Sequence, residues 1–167
     1  PVRVSSWVGH DGRQYLSRLQ SLGIDTSEVT VIAELPTLTA ALLVDSREDQ
    51  ILLFGDPGKR IRLPPARLEE VALAVVTSGI PREDIKMMRR CRSAGIAFVV
   101  DLGKFIMDVD PETLLGAVRG ADSLILNEYE RDLLVTRSGV SWNNIASTVE
   151  ISVITAGEAD VTVEFSG

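Results

Sequence analysis

One cysteine and one histidine occur in the 167 residues. A lone thiol, Cys91, excludes an internal disulfide and suits a reducing compartment, so a cytoplasmic location is expected. A lone imidazole, His10, has no second histidine with which to complete a metal site, and it reads as a loop residue. No apolar run reaches the roughly 20 residues a membrane-spanning helix needs, and no signal peptide opens the chain. No membrane partner is therefore expected. Basic residues are also in deficit. The 17 Lys and Arg stand against 24 Asp and Glu, a formal net charge of -7. Phosphate-backbone recognition needs clustered Lys and Arg, so nucleic acid is excluded as the main partner. The densest basic cluster, Met88-Arg89-Arg90-Cys91-Arg92, reads as the solvated face of a helix. The chain opens on Pro1 rather than Met, inside a strand-like run Val2–Val8, which suggests a fragment or a trimmed chain.

What is present is a core-sized supply of apolar residues, 45% of the chain, enough for one domain over residues 1–167. Four short runs are almost continuously apolar: Val71–Val76, Ile96–Val100, Ser123–Leu126 and Ile151–Thr155. Such runs suit strands of a parallel sheet covered on both faces. Helical stretches separate them. Arg82–Ser93 opens after Pro81 and stops at Gly95; Pro111–Val118 follows Asp110, a good N-cap; Glu128–Thr136 and Trp142–Val149 complete the series. Strand–helix–strand alternation predicts an α/β fold, a mostly parallel sheet flanked by helices in Rossmann-type layers. The first third reads differently. A strand Val2–Val8 and a helix Gly12–Leu22 precede three runs, Val29–Glu34, Thr39–Asp45 and Gln50–Phe54. With Ser46-Arg47-Glu48-Asp49 as a polar turn, these runs predict a small antiparallel hairpin sheet within residues 29–58. Its apolar faces must cover a core, a substrate or a second copy of the chain.

Ligands of open α/β sheets bind at the carboxyl ends of the strands. The residues following the four buried strands are Thr77-Ser78-Gly79, Asp101-Leu102-Gly103-Lys104, Asn127-Glu128-Tyr129-Glu130 and Thr155-Ala156-Gly157-Glu158. All are small or polar, as a polar ligand requires, although strand ends are generally polar. Asn127 and Glu130, spaced i, i+3 at a helix start, allow two readings. Glu130 offers a carboxylate for a magnesium ion held through water. Alternatively the pair forms a capping box, with Asn127 as N-cap, and spacing alone favours the cap. Gly157 would let the backbone approach a phosphate and Thr155 offers a hydroxyl; the residues by themselves favour a plain β-turn, where Gly supplies positive φ.

Several of these segments together resemble the PfkB, or ribokinase-like, family of carbohydrate and nucleoside kinases. Val8-Gly9-His10-Asp11-Gly12, a helix, then Gly23-Ile24-Asp25-Thr26-Ser27 resemble that family's Gly-Asp turn and following motif. Leu35-Pro36-Thr37 resembles the opening of its hairpin lid and Gly55-Asp56-Pro57-Gly58 the lid exit. Asp101-Leu102-Gly103 stands at an Asp-Pro-Asn type turn, Asn127-Glu128-Tyr129-Glu130 matches N-x-x-E, and Thr155-Ala156-Gly157 matches T-x-G.

The resemblance implies transfer of the ATP γ-phosphoryl group to a hydroxymethyl group of a sugar or nucleoside, with Mg2+. It places Asn127, Thr155 and Gly157 at the nucleotide and Glu130 at the metal. It makes the 29–58 segment a lid and a possible homodimer contact. Departures accompany it. The family's Gly-Ala-Gly-Asp motif, which carries the catalytic base, does not occur here, and Gly120-Ala121-Asp122 precedes a strand rather than opening a helix. No catalytic residue is assigned. Gly79 stands where ribokinases place a sugar-binding Glu, Gly103 replaces an Asn, Phe105 a frequent Arg, and Asp160 the last Gly of the nucleotide motif. The isolated chain is expected to be inactive, and a truncated homologue acting as a non-catalytic binding module is the alternative.

Overall fold

A computed structural model describes residues 1–44, 50–54, 61, 63–77, 79–103, 105–157 and 161–166. The chain divides into two compact units, Pro1–Ala66 and Arg67–Gly167.

In the first unit, strand β1 (Arg3–Gly9), helix α1 (Arg13–Ser21) and strand β2 (Asp25–Ile32) form a parallel crossover, with Trp7 opposite Thr30 and Gly9 opposite Ile32. This corrects the expectation for Val29–Glu34, which does not join the antiparallel ribbon. Alternating apolar residues serve either strand direction; the helix between β1 and β2 allows the chain to return in parallel. The ribbon has two strands, β3 (Ala40–Val44) and β4 (Gln50–Phe54), antiparallel with Leu42 opposite Leu52. Every residue of β3 is exposed. The Ser46–Asp49 turn and the Gly55–Gly58 segment lie outside the described residues. Two motif segments far apart in sequence meet beyond β1. Asp11 Oδ1 accepts hydrogen bonds from the Thr37 N–H at 2.7 Å and the Thr37 hydroxyl at 2.6 Å, and the Thr37 hydroxyl accepts from the Gly9 N–H at 3.0 Å. These bonds hold the Asp11 carboxyl below its ordinary range. Glycine at position 9 is required by close approach: a Cβ there would lie 2.2 Å from the backbone of Pro36 and Thr37.

The second unit is a five-stranded sheet in sequence order: β5 (Leu73–Val76), β6 (Ala97–Asp101), β7 (Ser123–Asn127), β8 (Ile151–Thr155) and β9 (Thr162–Phe165). β5 to β8 are parallel and β9 is antiparallel to β8. The four apolar runs therefore form the parallel strands that their composition predicts, although only one face of the sheet is fully covered. α2 (Pro81–Ala94), α4 (Pro111–Val118) and α5 (Glu128–Ser138) follow the expected helices, and a short α3 (Phe105–Asp108) joins them. α6 ends at Ala146, before the expected Val149, where the Thr148 hydroxyl bonds the Ile145 carbonyl at 2.7 Å and competes with continued helix.

Successive strand residues alternate faces. One sheet face carries Val76, Phe98, Val100, Leu124 and Leu126, all buried with Met88 and Cys91 of α2, Leu114 and Val118 of α4 and Leu134 of α5. The register puts Leu73, Val75, Val99, Ile125, Val153, Val163 and Phe165 on the other face, and its outer strands are open: Val75 is 64% and Phe165 72% exposed. The two faces should respond unequally to truncation. In denaturant unfolding, Phe98→Ala is expected to cost about 3–5 kcal/mol, whereas Val75→Ala should stay within about 0.5 kcal/mol. Equal losses would mean that the second face is buried.

Candidate functional site

The carboxyl ends of β6, β7 and β8 align because their register is continuous. Asp101 lies opposite Ile125, and Asn127 opposite Thr155. By the two-residue period, Asp101, Ile125, Asn127, Val153 and Thr155 share one sheet face. The structure thus brings Asn127 and Thr155 side by side on adjacent strand ends. Glu130 follows in the first turn of α5, and Gly157 two residues after β8.

Asn127 caps α5. Its Oδ1 accepts the Glu130 N–H at 2.8 Å, and Glu130 Oε2 accepts the Asn127 N–H at 2.9 Å. The capping box that spacing favoured is therefore formed. It engages one oxygen of the Glu130 carboxylate; Oε1 carries no hydrogen bond among the described residues. No group of three or more His, Cys, Asp or Glu side chains able to hold a metal occurs among those residues. This donor set does not fit a metal cage made by protein alone. It fits Mg2+, which keeps several waters and takes one or two carboxylates beside phosphate oxygens.

The Thr155 hydroxyl reaches the Leu126 carbonyl at 3.5 Å, too long to be a strong bond, so it can turn to a ligand at little cost. Gly157 has φ +58°, in the left-handed region, so the turn after β8 requires glycine and leaves its backbone bare. Glu158, Asp160, Ser78 and Lys104 lie outside the described residues. His10 is exposed in the turn after β1, as a loop residue would be.

Sequence reasoning missed Asp84. It lies half-buried in the first turns of α2, beyond the carboxyl end of β5, and its Oδ2 accepts the Gly79 N–H at 3.2 Å. Burial pushes its carboxyl up to about 7, with a smaller push from Glu83. An acidic residue in a first helical turn is so common that the sequence carried no signal of this burial.

Residues 1–163 match the pfkB family carbohydrate kinase. The chain belongs to that family. Solved structures agree with the fold. A Burkholderia thailandensis nucleoside kinase in complex with inosine matches with a TM-score of 0.84 at 24% identity, over 98% of this chain and 55% of that one. A nucleoside kinase of Methanocaldococcus jannaschii, described as an archaeal member of the ribokinase family, gives 0.81 at 18%, over 98% and 55%. Ribokinase from Cryptococcus neoformans var. grubii serotype A in complex with ADP gives 0.83 at 15%, over 99% and 59%. This family member thus spans about half the length of the solved kinases it matches.

Two stability outcomes follow from the geometry. Asn127→Ala, which opens the capping box, should cost about 1 kcal/mol in denaturant unfolding. For Asp84, the folded-state value near 7 lies above the 3.8 of the unfolded chain. The native state therefore binds the proton more tightly, a stabilisation complete below pH 3.8 and lost as pH rises towards 7. Asp84→Asn should accordingly be more stable than the parent at pH 8, by about 1–2 kcal/mol after allowance for solvent screening. That advantage should vanish near pH 4. Destabilisation at pH 8 would show that the charged form is the favoured one.

Proposed function

We propose that these residues form part of a kinase that transfers the ATP γ-phosphoryl group to a hydroxymethyl group of a sugar or nucleoside, with Mg2+. The observation that carries the reading is the alignment of Asn127, Glu130 and Thr155 at adjacent parallel strand ends, the ligand edge of an open α/β sheet. Membership of the pfkB family and the fold shared with kinases solved with inosine or ADP support it.

In this reading Asn127 and Glu130 stand at the phosphates, Thr155 offers a hydroxyl to the nucleotide, and the bare backbone at Gly157 lets phosphate approach closely. Mg2+, when bound, would neutralise charge on the phosphate oxygens. Glu130 would hold it through water with the oxygen that the cap leaves unused. The N-terminal end of α5 adds favourable peptide dipoles for an anion. Phosphoryl transfer is chiefly positioning and charge neutralisation, and these residues serve both. None of them is a base. The Gly-Ala-Gly-Asp sequence does not occur in these residues, and no catalytic base is assigned among them.

The exposed apolar strand β3, with Leu42, Leu43 and Val44 each about half exposed, suits a lid over the acceptor and a homodimer contact. No helix among the described residues is long and apolar enough to cross a membrane, and a cytoplasmic location is proposed from the single cysteine, Cys91. A second reading, a binding module without catalysis, rests on Gly79 and Asp160, which stand where the family resemblance would place Glu and Gly. Phosphoryl transfer by this chain alone, to any pentose or nucleoside, would exclude it.

Glu130→Gln decides between metal and cap. Glutamine retains an acceptor for the Asn127 N–H, so stability should change by less than about 0.5 kcal/mol. Calorimetry should show Mg-ATP affinity reduced roughly tenfold or more, since a charge-assisted contact is lost. Unchanged Mg-ATP affinity would leave Glu130 as a cap alone.

A further inference from the structure

Asp84 is a half-buried carboxylate of the second unit that takes part in no helix cap and in no ion pair among the described residues. Among the described residues no cation pairs with it. The charge beside it on α2 is Glu83, itself held by Lys86 at 2.9 Å. Of the elements packed against α2, β5 carries no ionisable side chain, β6 carries only Asp101 at its last residue, and α4 only Glu112 in its first turn. The helix does not need Asp84 for its start. Pro81 is already set for the first turn, and Glu83 complements the helix dipole. A half-buried carboxylate at the end of a sheet strand is a candidate functional group.

Its geometry indicates what it does. Oδ2 accepts the Gly79 N–H at 3.2 Å. A Cβ at position 79 would lie 3.2 Å from Oδ2 and 3.6 Å from Oδ1, so glycine leaves the carboxylate its room. Gly79 precedes α2 in the connection from β5, and Asp84 lies in the helix itself. We propose that Asp84 is a positioning residue, its ionised carboxylate fixing the β5–α2 turn through the Gly79 N–H and so setting the β5 corner of the ligand edge. The proposal rests on the reading of the strand ends as that edge. A hydrogen bond to an ionised acceptor is roughly twice as strong as one to a neutral acceptor. Protonation of Asp84 thus loosens the turn, and burial brings that protonation to about neutral pH.

Amide exchange at Gly79, expressed as a protection factor, tests this in the full chain at pH 5.5 and 8.5, with adenosine affinity measured in the same samples. In the parent, protection should fall on the order of fivefold from pH 8.5 to 5.5, and adenosine should bind more weakly at the lower pH. Asp84→Asn, which keeps an acceptor without a titration, should make both flat. Asp84→Ala should give low protection at both values. Parent protection that does not change with pH, or that changes equally in Asp84→Asn, overturns the latch. A switching Gly79 with pH-independent adenosine affinity overturns its positioning role. A switching Gly79 with no adenosine binding at any pH upholds the latch and removes the nucleoside reading instead.

Discussion

The parallel register of β6, β7 and β8 is the constraint on which the candidate site depends. Asn127 and Thr155 are neighbours only because Ser123 is opposite Ile151, and every pair above it follows. A slip of one residue would turn Asn127 and Thr155 to opposite faces and bury polar groups among Phe98, Leu124 and Leu126. Two devices oppose the slip. The apolar face of the sheet packs with α2, α4 and α5 in one buried cluster, which a slip would disrupt. Asp122 clamps the start of β7 to β6: its side chain accepts the Phe98 N–H at 2.7 Å, while its own N–H donates to the Phe98 carbonyl at 2.9 Å. The Asp122 that looks like part of a glycine-rich motif in the sequence is therefore a register pin.

The same economy marks α5. Glu130 stabilises the helix start with one oxygen and leaves the other to solvent, so the cap and the proposed metal role do not compete for the same atom. The cap also fixes the carboxylate's direction before any ligand arrives, which lowers the ordering cost of binding. Asp84 represents the opposite bargain: its burial favours the neutral form, and the Gly79 N–H only partly offsets that.

Much of this was legible in the sequence, and unevenly so. The four parallel strands were readable because short, almost continuously apolar runs separated by helices suit a parallel sheet. Asn127 and Glu130 were readable because an i, i+3 pair at a helix start meets whatever surrounds it. The pairing of β2 was not, since strand direction leaves no trace in a short alternating run. Nor was the meeting of Asp11 with Thr37, or of Trp142 Nε1 with Glu164 at 2.7 Å, because both join residues more than 20 positions apart. Burial of Asp84 is likewise a property of the packed unit and not of its local sequence. The open sheet face, with Val75 and Phe165 exposed, is the place where composition and structure disagree most: the runs read as covered on both sides, and this family member spans about half the length of its solved relatives.

The central claim is that the aligned ends of β7 and β8 are a nucleotide and metal edge. Titration of the isotopically labelled chain with Mg-ADP, followed through backbone amide shifts, tests it most directly. Perturbations should concentrate at Asn127, Glu130, Thr155 and Gly157 and should weaken when Mg2+ is withheld. Shifts centred elsewhere, or none at millimolar Mg-ADP, would contradict the account.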